Sequence, residues 1–180
     1  MKRIFVLLGS FLLHLSTLSS AAAAESLPMD PHLEPLRPWL GKTWRGHFKT
    51  STPELPVVDV ARWERTLNGK AVRILHSVNE GAYGGESIIM WDKEKQVVAY
   101  HYFTTGGFTT TGTMTFKDGK ILTSETISGN ASGVTEVRGA TVMQKDGSFL
   151  VKTEHRKNGA WTPGRETLYR EDARAKVVFK

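Results

Sequence analysis

From Thr43 onward, apolar and polar residues alternate with a period of two, the signature of half-buried strands. Thr43–Thr50 sets Trp44, Gly46 and Phe48 on one face and Arg45, His47 and Lys49 on the other. Val57–Leu67 and Lys70–Val78 flank Asn68-Gly69, a strong hairpin signal because both central residues must take φ > 0. Counting back from that turn sets Trp63 opposite Ile74, Arg65 opposite Val72, Ala61 opposite His76 and Glu64 opposite Arg73. Further hairpins follow: Glu86–Asp92 with Gln96–Thr104 across Lys93-Glu94, Phe108–Phe116 with Lys120–Gly129 across Asp118-Gly119, and Val134–Gln144 with Ser148–Arg156 across Asp146-Gly147. Asn158-Gly159 then leads into a last strand, Trp161–Arg170. About ten strands joined mostly by hairpins predict an all-β, antiparallel up-and-down meander. A meander of that length hides its edges best by closing into a barrel. The alternative, a two-sheet sandwich, normally uses longer crossover connections.

Ahead of the strands, Glu25–Leu40 carries Pro28, Pro31, Pro35 and Pro38. Asp30-Pro31 has the form of an N-cap followed by proline at the first helical position. The later prolines deny a long α-helix its hydrogen bonds. One or two short helical turns are expected, with Leu33, Leu36 and Leu40 on one side, as a plug for one end of the barrel.

Met1–Ala24 has the form of a secretory leader: Lys2 and Arg3, an apolar stretch from Ile4 to Leu18, then Ala22-Ala23-Ala24 as a small-residue cleavage site. The apolar stretch is too short and interrupted to span a bilayer. The expected product runs from Glu25 to Lys180 as one barrel domain, periplasmic or secreted. The chain has no cysteine, which excludes disulfides, thiolate chemistry, Cys-held metals and the lipid-bearing Cys of bacterial lipoproteins. No stable membrane anchor is therefore expected. Of the net charge of +6, two units belong to Lys2 and Arg3. The remaining charges are scattered along strands rather than gathered, which argues against a nucleic-acid partner.

The opening Leu36–Phe48, a Trp-bearing first strand behind a short helical piece, resembles that of the calycin superfamily, which includes lipocalins, fatty-acid-binding proteins and nitrobindins. Leu40-Gly41-Lys42-Thr43-Trp44-Arg45-Gly46 is close in type to the nitrobindin opening. Trp63-Glu64-Arg65-Thr66-Leu67-Asn68-Gly69-Lys70, Tyr83-Gly84-Gly85-Glu86 and Phe103-Thr104-Thr105-Gly106-Gly107-Phe108 resemble a family of exported bacterial proteins of unknown function. The resemblance implies a small barrel that commonly holds an apolar ligand. It implies no activity.

The candidate chemistry lies in ionisable groups whose register turns them inward. A charge in an apolar lumen costs several kcal/mol unless paired, so such a residue usually has a partner or a ligand. Arg65 and His76 share a face with Trp63, Val72 and Ile74. Glu125 falls opposite Gly112, with Met114, Phe116 and Ile127. The two-residue turns also set Glu86 opposite His101, beside Ile88, Met90 and Ala99, and Arg138 opposite His155, beside Ala140, Val142 and Val151. Cross-strand pairs of this kind can equally do no more than tie strands together. Trp44, Trp63, Ile74, Met114 and Phe116 are the expected cavity lining, and Arg65, His76 and Glu125 its polar handles, for a small apolar or amphipathic ligand.

An enzyme using Glu86 and His101 for proton transfer is the competing reading. A third reading is a periplasmic metal or haem carrier. Apart from His14 in the leader, the histidines are His32, His47, His76, His101 and His155, with no i, i+4 pair and no His-x-His, and none matches the axial histidine of the nitrobindins. No cofactor or metal is expected on that basis. Gly-x-Ser-x-Gly is absent, and no helix follows Gly81-Ala82-Tyr83-Gly84-Gly85 to present a phosphate site. The run Thr109-Thr110-Thr111, with Thr113 and Thr115, is expected to face water.

Overall fold

The computed structural model describes residues 28–130 and 132–180. The leader expected over Met1–Ala24 lies outside them. Ten strands follow a nine-residue 3₁₀ helix, Pro31–Trp39. They are β1 (Thr43–Phe48), β2 (Val58–Thr66), β3 (Ala71–Val78), β4 (Tyr83–Asp92), β5 (Val97–Thr104), β6 (Thr109–Lys117), β7 (Lys120–Ser128), β8 (Val134–Met143), β9 (Phe149–Lys157) and β10 (Ala160–Glu171). Each strand pairs antiparallel with its neighbours in sequence, and β1 pairs with β10, so the sheet closes on itself. The period-two pattern thus builds an all-β closed barrel, and the sandwich alternative is excluded.

The β2–β3 register matches the count from Asn68-Gly69: Ala61 faces His76, Trp63 faces Ile74 and Arg65 faces Val72. Asn68 (φ 52°) and Gly69 (φ 84°) both take the left-handed conformation, as does Leu67 (φ 47°).

Two other turns differ from expectation. Between β4 and β5, Asp92 pairs with Val97 rather than Lys95. The Asp92 carboxylate accepts from the backbone N–H groups of Glu94 and Lys95 and so builds a four-residue turn. Glu86 consequently faces Phe103, and His101 faces Ile88. Between β8 and β9, Gln144 N–H donates to Ser148 O at 2.7 Å, and Met143 pairs with Phe149. That turn has an odd number of residues where the two-residue count assumed an even one, so the pairing slips by one and exchanges the faces of β8. Arg138 faces Glu154, and it is Val137 that faces His155.

The 3₁₀ helix follows from its prolines. Pro35 and Pro38 carry no N–H, and the Asp30 carboxylate accepts from His32 N–H at 3.2 Å. With three residues per turn, Leu33, Leu36 and Trp39 stack along one side and are buried. Leu40, expected on that face, only packs against its edge. Full burial of Leu33 and Leu36 contributes about 1.5–3 kcal/mol each. Trp39 lies against Trp63 (ring centroids 5.9 Å apart) and Phe149 (6.1 Å). Trp44 meets Phe149 edge-on at 4.9 Å and donates its indole N–H to Trp39 O. These rings, with Val72, Ile89, Val98, Ile121 and Tyr169, form the packed core.

Candidate functional site

Away from the 3₁₀ helix the barrel is hollow. A cavity of about 410 Å³ is lined from every strand except β1, within the roughly 300–1,000 Å³ of small-molecule pockets. Its lining grades along the strands. On β2 it runs Trp63, Ala61, Asp59, on β3 Ile74 then His76, and on β9 Phe149, Val151, Thr153, His155. The wall is therefore apolar toward the packed core and polar beyond it.

The polar part is one hydrogen-bonded chain. His76 Nδ1 lies 2.9 Å from Asp59 Oδ1, and its Nε2 lies 2.7 Å from the Tyr102 hydroxyl. The Tyr102 hydroxyl is in turn 2.9 Å from that of Tyr83. Asp59 Oδ2 accepts from the Tyr169 hydroxyl at 2.5 Å and lies 3.9 Å from Arg165 Nη1. Asp59 is 1% exposed. Burial by itself would raise its carboxyl, but the His76 hydrogen bond, the charges of His76 and Arg165 and the Tyr169 hydroxyl outweigh that and hold it below the ordinary value. Asp59 is therefore the ionised anchor of the chain. Burial, followed by the neighbouring tyrosine, pushes the Tyr102 phenol far above its usual range, burial does the same for Tyr169, and burial also raises Tyr83. All three phenols stay protonated.

A second polar group stands on β7. Glu125 Oε2 accepts from the hydroxyls of Thr110 (2.6 Å) and Tyr100 (3.1 Å). Burial and then the Glu125 charge raise the Tyr100 phenol well above its ordinary value, so it too remains a donor.

Glycines make room for these phenols. A Cβ at Gly112, opposite Tyr100, would fall 2.6 Å from Tyr100 Cζ, and one at Gly46, opposite Tyr169, 2.5 Å from Tyr169 Cε1. One at Gly85 would fall 2.5 Å from Tyr102 Cε2. Arg165 is aimed by a bulge. Between Pro163 and Glu166 the β9–β10 register shifts, Thr153 Oγ1 accepts from Arg165 N–H at 2.9 Å, and both Gly164 and Arg165 come to line the lumen.

Of the residues expected to meet a ligand, Trp63, Ile74, His76, Met114 and Glu125 line the cavity. Three do not. Trp44 is buried in the packed core, and Phe116 packs against its edge. Arg65 lies one alternation beyond Trp63, at the strand end, where its Nε donates to Pro28 O at 2.8 Å. The proposed pair Glu86 and His101 is on the outer surface: His101 is exposed, and the Glu86 side chain is 41% exposed with Arg73 Nη1 3.9 Å away. The physical reason is the β3–β4 register, which sets Ile74 beside Ser87 and turns Ser87, Tyr100 and Tyr102 inward instead. Arg138 is likewise outside, donating to Glu154 at 2.6 Å and lying over the Trp161 ring.

Sequence reasoning missed Asp59, Tyr100, Tyr102, Thr110, Tyr169 and Arg165. Asp59 was within reach, since it continues the alternation of Trp63 and Ala61. The tyrosines carried a signal in the glycines paired beside them. The bulge that aims Arg165 left none. Among the described residues no three His, Asp or Glu side chains converge on a metal-sized site, and no helix is long and apolar enough to cross a membrane.

No protein-family model matches the sequence, and no curated protein matches it. Among solved structures the chain is similar to the crystal structure of Rv2717c from M. tuberculosis, at a TM-score of 0.59 and 14% identity. The match covers 81% of this chain and 99% of that one. At that identity the likeness concerns the fold.

Proposed function

We propose that this is an exported, calycin-like ligand-binding barrel, cleaved near Ala24, with the 3₁₀ helix as its end plug and a small amphipathic molecule as its ligand. The observation that carries the reading is the graded cavity. Trp63, Ile74, Met114, Val137, Phe149 and Val151 offer an apolar wall, and the chain anchored on Asp59 offers fixed hydrogen-bonding groups at the other end. A barrel stabilised only by its own packing gains nothing from leaving that volume empty. Titration with the neutral dye N-phenyl-1-naphthylamine, followed by energy transfer from tryptophan, tests it. Saturable one-to-one binding is expected, weakened in Val137→Trp, which narrows the lumen. Affinity unchanged in a folded Val137→Trp protein refutes the lumen as the site.

A second reading is favoured by the Asp59–His76 pair, a buried carboxylate orienting an imidazole inside a cavity, the arrangement that general acid–base chemistry requires. It expects the barrel to accelerate deuterium exchange at the carbons next to the carbonyl of 4-phenylbutan-2-one, and His76→Gln to abolish the acceleration. Exchange no faster than in buffer ends this reading.

A further inference from the structure

The lumen holds two carboxylates in unequal circumstances. Asp59 is answered on every side: His76, Tyr169 and Arg165 all face it. Glu125 is not. Both of its hydrogen bonds fall on Oε2, both come from neutral hydroxyls, and no basic side chain among the described residues forms an ion pair with it. Arg165 lines the same cavity, but its nearest carboxylate is Asp59. His155, in the same row beyond Val137, makes no side-chain hydrogen bond with any described residue. Arg165 lies closer to Asp59 than to Glu125, whose Oε1 has no hydrogen-bond partner among the described residues.

The surroundings of Glu125 suit a cation with an apolar body. Gly112 opposite it lets the Tyr100 ring lie across β6, and Tyr102 and Met114 line the same wall. Aromatic faces attract cations through their quadrupole, more strongly where water is displaced. A carboxylate pre-oriented by Tyr100 and Thr110 costs a ligand no rearrangement. The two hydroxyls also hold Oε2, which directs Oε1 to whatever enters.

We propose that the lumen selects amphipathic amines, with the ammonium seated on Glu125 Oε1 beside Tyr100 and the hydrocarbon part against Trp63, Ile74, Val137 and Val151. The inference rests on the ligand-binding reading above and narrows its ligand class. A charge-assisted hydrogen bond is about twice as strong as a neutral one, so the amine should bind about tenfold or more tightly than a neutral analogue of the same shape.

The test compares 4-phenylbutylamine, 4-phenylbutan-1-ol and 4-phenylbutyrate by calorimetry on the wild type, Glu125→Gln and Val137→Trp, which narrows the lumen. Glu125→Gln keeps an oxygen to accept from Tyr100 and Thr110 and removes only the charge. A preference for the amine that disappears in Glu125→Gln, with binding of the alcohol unchanged, is the expected result. An amine preference that persists in Glu125→Gln places the cation elsewhere and overturns the proposal. Equal binding of the three probes, or preference for the carboxylate, with binding weakened in Val137→Trp, overturns the amine proposal and leaves the lumen as a ligand site. If none of the three binds the wild type, both readings fall.

Discussion

Gly46 gives the most direct handle on how the lumen is built. It faces Tyr169 across the β1–β10 seam that closes the barrel. A methyl at Gly46 would sit 2.5 Å from Tyr169 Cε1, 2.6 Å from Cδ1 and 2.7 Å from Thr167 Cγ2. Carbon atoms prefer about 3.5–4.0 Å, so something must move by about 1 Å. Tyr169 is 2% exposed, its ring stacks on Phe149 with centroids 4.6 Å apart, and its hydroxyl donates to Asp59. The ring cannot retreat without losing one of these contacts. Overpacking costs about 1–3 kcal/mol, and losing a hydrogen bond to a charged acceptor about 1.5–3 kcal/mol. Against them stands the ~0.5–1 kcal/mol that alanine gains over glycine in a strand.

Gly46→Ala should therefore destabilise the protein by about 2–5 kcal/mol, a large part of the ~5–15 kcal/mol of an ordinary fold. Urea unfolding followed by tryptophan emission and far-ultraviolet dichroism measures it. In the Tyr169→Ala background the same methyl is relieved of the ring and meets only Thr167 Cγ2, so the two losses should fall short of additivity by about 1–3 kcal/mol. A Gly46→Ala protein within about 0.5 kcal/mol of wild type, or strict additivity with Tyr169→Ala, would show that the glycine is not there to seat the ring.

Other consequences can be checked on the same samples. The Asp59 carboxyl is held below the 3.8 of an ordinary aspartate, so its contribution is present above that pH and lost as pH falls through the folded-state value. Asp59→Asn should lack this acid-side loss, giving a flatter stability profile below about pH 4 in urea melts, and an unchanged profile refutes the ionised anchor. Leu33→Ala empties a fully buried position on the 3₁₀ helix and should cost about 2–5 kcal/mol, whereas a loss under ~1 kcal/mol would mean that the helix adds little to the core. Arg65→Ala removes a hydrogen bond to Pro28 O at the strand end and should leave dye binding in the lumen unaltered, and a marked loss would return Arg65 to the site.

What could be read from the sequence divides along where each turn closes. Where the pairing is centred on the Asn-Gly or Asp-Gly itself, as at Asn68-Gly69 and Asp118-Gly119, the count of opposite residues was sound. Trp63 against Ile74, Ala61 against His76 and Glu125 against Gly112 all stand as counted. Asp92 instead spends its carboxylate on the N–H groups of Glu94 and Lys95, and Ser148 closes a longer turn on Gln144. Both are side-chain or backbone hydrogen bonds that hydrophobic periodicity cannot register. The thick side chains misled in a second way. Tyr100 and Tyr102 alternate with Ala99, His101 and Phe103, so either face could have been apolar enough for the interior. The tie was broken by β3, two turns away, which sets Ile74 beside Ser87. Thr110 shows the same limit on a finer scale: its neighbours Thr109 and Thr111 are exposed, but it is 3% exposed and bonded to Glu125.

The division of the interior into a packed and a hollow part explains how a barrel with so many ionisable groups inside can be stable. Leu33, Leu36, Trp39, Trp44, Trp63 and Phe149 pack together at the helix side, where aromatic burial contributes most per residue. That core does not need the lumen to be filled. The polar end then tolerates a buried carboxylate because each of its oxygens is engaged, Oδ1 by His76 and Oδ2 by Tyr169. It leaves Glu125 with one oxygen uncommitted. A fully satisfied network stiffens the wall, and a carboxylate left half-satisfied in it is where an incoming molecule has most to gain.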